Sequence, residues 1–384
     1  MLLKYALGLD ISSKKINGCL SVIDNQQVVK VKASKVIGND VTGFKDLLLW
    51  LKKHIKEANI PLVINMEATG IYYESCALFL YQQGFSVSVV LPNKAKKYMA
   101  AIGFKSKNDA IDAKGLAQMA AEQSLKIWQP LGGFFYTLRQ MTRQHESLQE
   151  QKTTIKNQLH ALEHGMYRNK MIEKQLTKLV LLIDSQIGAI EKAIDAQLKT
   201  DVEVSAKVSN VCQMKGLGTL TIAKILAETN GFILFENSKQ LVSYAGYDVI
   251  ENESGKHKGK TKISKKGNSR IRRALFMPAF SVVRWEVKPF IGLFERTIEK
   301  HNIKMKSYVA VQKKLLTTIY AIYKSGEGFI EGYTPNISKE KEQELPSLSG
   351  FEKTQKNSLS RAETKQGKHP SEISQYASSL SSQN

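Results

Sequence analysis

Four acids in the first third of the chain stand where their types and spacing could do chemistry together. Asp10 closes the apolar run that starts at Tyr5, and Glu67 follows the apolar run from Pro61 to Met66. Asp109 and Asp112 stand three apart where a helix is expected to begin, so they share a face. Adjacent strands would bring Asp10 beside Glu67, with the helix supplying the other two. Carboxylates packed this closely repel one another and cost stability unless a divalent cation neutralises them. Two Mg²⁺ ions, or Mn²⁺ in their place, could then activate an oxygen nucleophile and stabilise a leaving oxygen at a phosphate. Spacing alone leaves open four unrelated surface acids, with Asp109 merely capping its helix.

Cations surround these acids and recur later. Lys94, Lys96, Lys97, Lys105 and Lys107 lead into Asp109. They suit either a backbone clamp for nucleic acid or a solvated loop. Lys215, Gly216 and Gly218 lie in KGLGTLTIA, between one expected helix and the next. This has the look of a helix-hairpin-helix, whose free amides can hold a phosphate; a plain turn fits as well. Residues 254–273 contain six lysines and three arginines and no acid. Within this run Lys256, Lys262, Lys265, Lys266, Arg270, Arg272 and Arg273 are the expected phosphate contacts. Ser254 heads the run. A serine hydroxyl is a weak nucleophile unless cations or metals activate it, and the residues alone do not choose Ser254 over Ser264 or Ser269.

Composition narrows the partner. The 384 residues carry 56 Lys and Arg against 35 Asp and Glu, a net charge of +21. That excess favours a polyanionic partner over a small neutral metabolite. The three cysteines, Cys19, Cys76 and Cys212, form no CxxC pair, which argues against a zinc ribbon or a disulfide framework and suits a reducing cytoplasm. The absence of a long apolar run points away from a membrane span or a standard secretion signal.

Four regions are expected to position these groups. Residues 1–130 read as α/β: three early strands, then alternating helices and strands, which implies a mixed sheet and not a dinucleotide-binding unit. Residues 131–205 read as two long helices broken near Gly165 to Asn169. Their seams run through Leu148, Ile155, Leu159, Leu162 and Met166, and through Leu176, Val180, Ile183, Ile187, Ile190 and Ile194. A seam of that kind must be buried against something, and a coil joining subunits is the expectation, with an internal hairpin as the alternative. Residues 206–333 read as mostly helical, and the serine-rich stretch 334–384 as a disordered tail.

From residue 1 to about 333 the chain resembles the Piv/MooV-type DEDD transposases, the insertion-sequence family numbered one hundred and ten. The resemblance rests on Asp10 in GLDISSKK, Glu67 in NMEATG, and Asp109 and Asp112 in KNDAIDAKGLA. It continues through KGLGTLTIA, Tyr244 to Gly246, and Ser254-Gly255 followed by ISKKGNSRIRRAL. Tyr247-Asp248 and the tail depart from the family pattern without touching these motifs.

The resemblance implies an RNase H-like, RuvC-like domain carrying the four acids on Mg²⁺, a coiled-coil insert, and a helical transposase domain with Ser254 as nucleophile. It implies DNA breakage and rejoining through a phosphoserine link, with one subunit's Ser254 serving another's carboxylates. It further implies dimers to tetramers on donor and target duplexes, sequence choice by a structured noncoding bridge RNA, and no membrane partner. A Piv-like DNA invertase, a metal-dependent junction nuclease and a non-catalytic nucleic-acid-binding protein are the competing expectations.

Overall fold

Long apolar strands and one small-residue helix build the N-terminal half. In the computed structural model the described residues are 1–104, 108–250, 253–254, 257–259 and 262–332, with backbone alone at 253–254 and 257–258. Three strands come first: β1 (Leu2–Ile11), β2 (Lys15–Asp24) and β3 (Val29–Gly38). Then follow α1 (Val41–His54), β4 (Leu62–Glu67), α2 (Glu74–Gln82), β5 (Ser86–Val90), α3 (Pro92–Ala101) and α4 (Asp109–Glu122). The sheet order is β3-β2-β1-β4-β5. β1, β2 and β3 pair antiparallel, while β4 runs parallel to both β1 and β5. This is the mixed sheet expected from three early strands and later crossovers.

The two faces of β1 have separate duties, as strand alternation requires. Tyr5, Leu7, Leu9 and Ile11 join Phe44 and Leu47 of α1 and Ala77 and Leu80 of α2 in one buried core. Ala6 and Gly8 face α4 instead. A Cβ on Gly8 would lie 2.1 Å from the Ala113 carbonyl oxygen and 2.2 Å from the Ala117 nitrogen. Only glycine permits α4 to sit this close, and the alanines of α4 complete the fit.

Two details differ from the sequence expectation. Lys94, Lys96 and Lys97 lie on a helix, α3, opened by Pro92, and not on a loop. β3 runs for ten residues to Gly38 although most of its side chains are not buried, which hides its length from a hydrophobicity pattern.

The helices α5 (Gly133–Glu163) and α6 (Lys170–Lys199) pack against each other. Leu148, Ile183 and Ile187 are buried between them, with Ile155 and Ile190 partly covered. The middle of the seam expected to join subunits is thus covered within one chain by an antiparallel hairpin, while Met166 at its far end is 89% exposed. Leu179, Leu181 and Leu182 remain exposed on the outside of α6.

The hairpin's base is built into the C-terminal core. Leu138 of α5 and Ile194 and Leu198 of α6 pack with residues of α7 (Val202–Cys212), α8 (Thr219–Thr229), α9 (Ser238–Ala245), α10 (Ser269–Arg284), α11 (Phe290–His301) and α12 (Lys304–Ser325). Between α9 and α10 lie four short strands: β6 (Val249–Ile250), β7 (Glu253–Ser254), β8 (His257–Lys258) and β9 (Lys262–Ile263). No helix among the described residues is long and apolar enough to cross a membrane. The expected tail, 334–384, lies outside the described residues.

Candidate active site

Strand parity and the lie of α4 place all four acids. Ala6 packs with Ala120 and Ala121, whereas Gly8 meets Ala113 and Ala117. The helix thus runs opposite to β1, and its first turn covers the strand's C-terminal end. Asp10 is the next residue on that face. On β4, Val63 packs in the same layer and the Asn65 side-chain amide donates to the Leu116 carbonyl at 3.0 Å. Glu67 is the next residue on that face. The last paired residues of the two strands are Leu9 and Met66, so Asp10 and Glu67 follow side by side. Asp109 and Asp112 occupy the first turn of α4, above that same end.

Capping does not account for Asp109. Asn108 caps α4, its side chain accepting from the Ile111 amide at 2.8 Å. Asp109 is exposed, while Asp10, Glu67 and Asp112 are half-buried. Glu67 accepts a hydrogen bond from the Thr69 hydroxyl at 3.1 Å. Asn17 of β2 lies directly opposite Asp10 and shares its face. Composition gave no hint of this amide at the acid end; only the strand register reveals it.

The acids share one end of one layer without forming a packed cluster. Among the described residues, no three His, Cys, Asp or Glu side chains stand close enough together to hold a metal ion. Like charges oppose closer approach. The donor set itself, four carboxylates with no thiol or imidazole, suits a hard divalent cation and not zinc.

Ser254 lies on a basic ribbon in the C-terminal half. Val249 pairs with Ile263 and Ile250 with Lys262; further out, Glu253 pairs with Lys258 and Ser254 with His257. Ser254 is therefore the last paired residue of β7, opposite His257. Its side chain and Lys256 lie outside the described residues, as do Lys105 and Lys107.

The root of the ribbon is tightly held. The Ser264 amide donates to the Asp248 carbonyl at 2.8 Å, and the Lys265 amide to the Gly246 carbonyl at 3.1 Å. The Asn268 amide donates to the Tyr244 carbonyl at 2.7 Å. Gly246 has φ of +73°, and a Cβ on Gly267 would come within 2.4 Å of the Tyr244 carbonyl oxygen. The Tyr244-Ala245-Gly246 and Lys266-Gly267-Asn268 segments interlock there. The Ser264 hydroxyl donates a hydrogen bond to the Asp248 carboxylate, so it serves as part of the root.

A buried clasp ties this root to α5. Arg143 donates twice to Glu228, at 2.8 and 3.1 Å, and the Asn268 side-chain amide donates to the same carboxylate at 2.7 Å. Burial would raise the Glu228 pKa, but the bonds from Arg143 and Asn268 outweigh it and hold the carboxyl below its ordinary value. Asn268 also caps α10, accepting from the Arg270 amide at 3.0 Å. Sequence reasoning missed Arg143 and Glu228, which lie 85 residues apart.

The basic residues divide into two groups. Lys215, Lys262, Lys265 and Lys266 are exposed. The three arginines, expected to meet phosphate, bond within the protein instead. Arg270 donates to Glu146 at 2.8 Å, Arg273 to Glu146 and Glu150, and Arg272 to the Ala245 carbonyl at 2.7 Å. Acids one turn apart on α5 face the start of α10, and guanidinium forks fit carboxylates closely. At the glycine hairpin, Gly216 has φ of +92° and packs on Ser281 and Val282. Gly218 opens α8 without a side-chain cap.

Two family models match the chain in order. One, described as Transposase and of the DEDD type named for IS110, covers residues 7–167. The other, described as Transposase IS116/IS110/IS902 family, covers residues 208–294. The first contains the four acids and the second contains Ser254, the ribbon and its root. The chain belongs to the IS110 family of transposases. As a member of that family it is an enzyme, a DNA transposase or recombinase.

Curated relatives agree with this placement. This IS110-family chain is 26% identical over 332 residues to the pilin gene-inverting protein of Moraxella bovis, covering 85% of this chain and 98% of the relative. It is 21% identical over 294 residues to the transposase for insertion sequence element IS1111A of Coxiella burnetii, covering 66% and 79% of the two chains. Among solved structures, T. thermophilus RuvC in complex with Holliday junction substrate matches at 12% identity and a TM-score of 0.24, over 32% of this chain and 94% of that one.

Proposed function

We propose that this IS110-family transposase breaks and rejoins DNA through a phosphoserine intermediate on Ser254. The Ser254 oxygen forms a bond to a DNA phosphorus while the bond from phosphorus to a sugar oxygen breaks. The serine proton leaves to solvent or a nearby base, and the departing sugar oxygen takes a proton. Rejoining reverses these events with a different DNA end. Divalent cations, Mg²⁺ foremost, would supply charge stabilisation at the phosphate when bound. Asp10, Glu67, Asp109 and Asp112 would hold them. The observation that carries this reading is the common placement of the four acids at one end of the layer between β1, β4 and α4.

Other features support the wider assembly. The exposed lysines of the ribbon suit phosphate backbones of donor and target DNA. Delegating sequence choice to a structured noncoding RNA fits a protein of charge +21 whose basic residues cluster without a base-reading helix of obvious design. The outer stripe of Leu179, Leu181 and Leu182 on α6 supports a dimer or tetramer. In such an assembly the ribbon of one subunit would serve the acids of another.

A second reading is favoured by the Moraxella relative, matched over nearly its whole length: site-specific inversion of a DNA segment. The two reactions share the same chemistry and differ in the DNA ends joined. Incubating the protein with a nicked substrate and Mg²⁺, then mapping the modified peptide by mass spectrometry, tests the core of both. An adduct at Ser254 that disappears in Ser254→Ala is expected. Cleavage by Ser254→Ala without any adduct would replace both readings with a metal-dependent nuclease.

A further inference from the structure

A cleft of about 440 Å³ opens between α5, α8 and α10, beside the ribbon root. Lys224, Arg270 and Arg273 line it, together with Glu146, Glu150 and Gln149. Lys224 is half-buried on α8, among Ile222, Ala223 and Ile225, and makes no ion pair among the described residues. Burial lowers its pKa despite the nearby Glu146 and Glu191 carboxylates, so its ammonium would gain from a further anion brought alongside. The two arginines already hold anions: Glu146, 17% exposed, is shared by both, whereas Glu150 is weakly seated. The Arg273 and Glu150 side chains are 60% and 64% exposed. An exposed pair of this kind is readily exchanged, because water and salt screen it.

We infer that this cleft binds a phosphodiester group of nucleic acid, and that Glu150 occupies the phosphate's place until it arrives. Carboxylate and phosphate offer a guanidinium the same forked geometry. A phosphate carries its charge on oxygens that can reach Arg270, Arg273 and Lys224 together. The Glu150 carboxylate then swings to solvent. The position is apt: Arg270 and Arg273 stand on the first turns of α10, directly after the Lys265-Lys266-Gly267-Asn268 root. A backbone gripped here would be held beside the ribbon that carries Ser254. Acids in the cleft also make weak, nonspecific contacts less favourable, so only a strand that supplies several phosphates opens it. The inference rests on the nucleic-acid reading of the chain but not on the phosphoserine chemistry.

Binding of the full chain to a duplex DNA and to a stem-loop RNA of equal phosphate number, across a range of KCl, tests it. Lys224→Gln should weaken binding several-fold and lower the slope of log K against log salt by about one. Glu150→Gln, and more so the Glu146→Gln/Glu150→Gln double variant, should tighten binding several-fold and steepen the slope. The opposite signs separate a phosphate cleft from a structural brace, since a brace predicts weaker binding from both. Should Lys224→Gln fail to fold, the sign of the Glu150→Gln effect decides alone. Effects confined to one probe assign the cleft to DNA or to RNA. Unchanged slopes on both probes, or weaker binding by Glu150→Gln, overturn the inference while leaving adduct formation at Ser254 untouched. Loss of the adduct reading with these effects intact would leave the cleft standing.

Discussion

The acid end of the N-terminal layer and the root of the C-terminal ribbon are held by different means. At the acid end, position comes mainly from close packing, Gly8 against the backbone of Ala113 and Ala117, with the Asn65 amide tied to the Leu116 carbonyl. The charged groups lie just beyond the last packed residues of β1 and β4. At the ribbon root, position comes from a buried polar clasp, Arg143, Glu228 and Asn268, that closes the two ends of a long excursion. Packing fixes a rigid platform on which charges can be displayed at its edge. A polar clasp fixes the point from which the ribbon departs. The difference suits a reaction in which acids stay in place and the nucleophile is delivered.

The comparison breaks most sharply at the acids. Asp10→Asn or Asp112→Asn removes a carboxylate and changes no packing. Strand exchange should fall by on the order of a thousandfold, with thermal stability and DNA binding near wild type. Recombination at wild-type rate by either variant, measured on a plasmid with paired element ends, would return these acids to mere surface charge.

At the clasp the same kind of change should act through the fold. Glu228 is buried, while the Arg143 side chain is 42% exposed, so removing the acid leaves a guanidinium that water partly reaches. Glu228→Ala should cost about 1–3 kcal/mol, read as a shift of the denaturant midpoint. Glu228→Gln retains a partner for Asn268 and should cost less. If Glu228→Ala unfolds no more easily than wild type, the clasp does not hold the root, and the contrast between the two regions fails.

Much of the acid end was legible in the sequence, and little of the clasp. An apolar run ending in an acid, and two acids at a helix start, are local patterns with fixed periods. Parity along β1 and β4 then carries them to one face. Arg143 and Glu228 form no pattern, because nothing local specifies which acid on α8 meets which arginine on α5. The pairing of Arg270 and Arg273 with Glu146 and Glu150 spans more than 120 residues. A basic run therefore read as free phosphate contacts, although its three arginines bond to the protein. The coil shows a similar limit. Its heptad spacing announced a buried seam, but spacing does not say whether the partner is the next helix, across the six residues 164–169, or the next subunit.

That ambiguity yields a smaller, sharper test. Ile183 is buried in the hairpin, and Leu182 beside it is 55% exposed. Ile183→Asp should loosen the hairpin, costing about 2–4 kcal/mol. Leu182→Glu should leave stability within about 0.5 kcal/mol and change only the mass found by sedimentation. An unchanged mass for Leu182→Glu would remove the outer stripe of α6 from any subunit contact.

The smallest expected effect is a pH dependence centred on the clasp. In the folded chain Glu228 titrates below its ordinary value of 4.5, since Arg143 and Asn268 favour its charged form despite burial. A depressed carboxyl pKa stabilises the fold fully above the unfolded value, and that contribution fades as pH falls through the folded value. Wild type should therefore lose stability on acidification below about pH 4.5 more steeply than Glu228→Gln, which has no proton to take up there. The other acids titrate in both proteins, so the difference between the two curves isolates this group. The acid end offers no such signature through packing alone: Gly8 and its alanines carry no charge, and their hold on α4 is indifferent to pH. Parallel curves for wild type and Glu228→Gln, measured as unfolding midpoints from about pH 6 to about pH 3, would mean that the clasp holds by its shape and hydrogen bonds, with the charge on Glu228 contributing nothing.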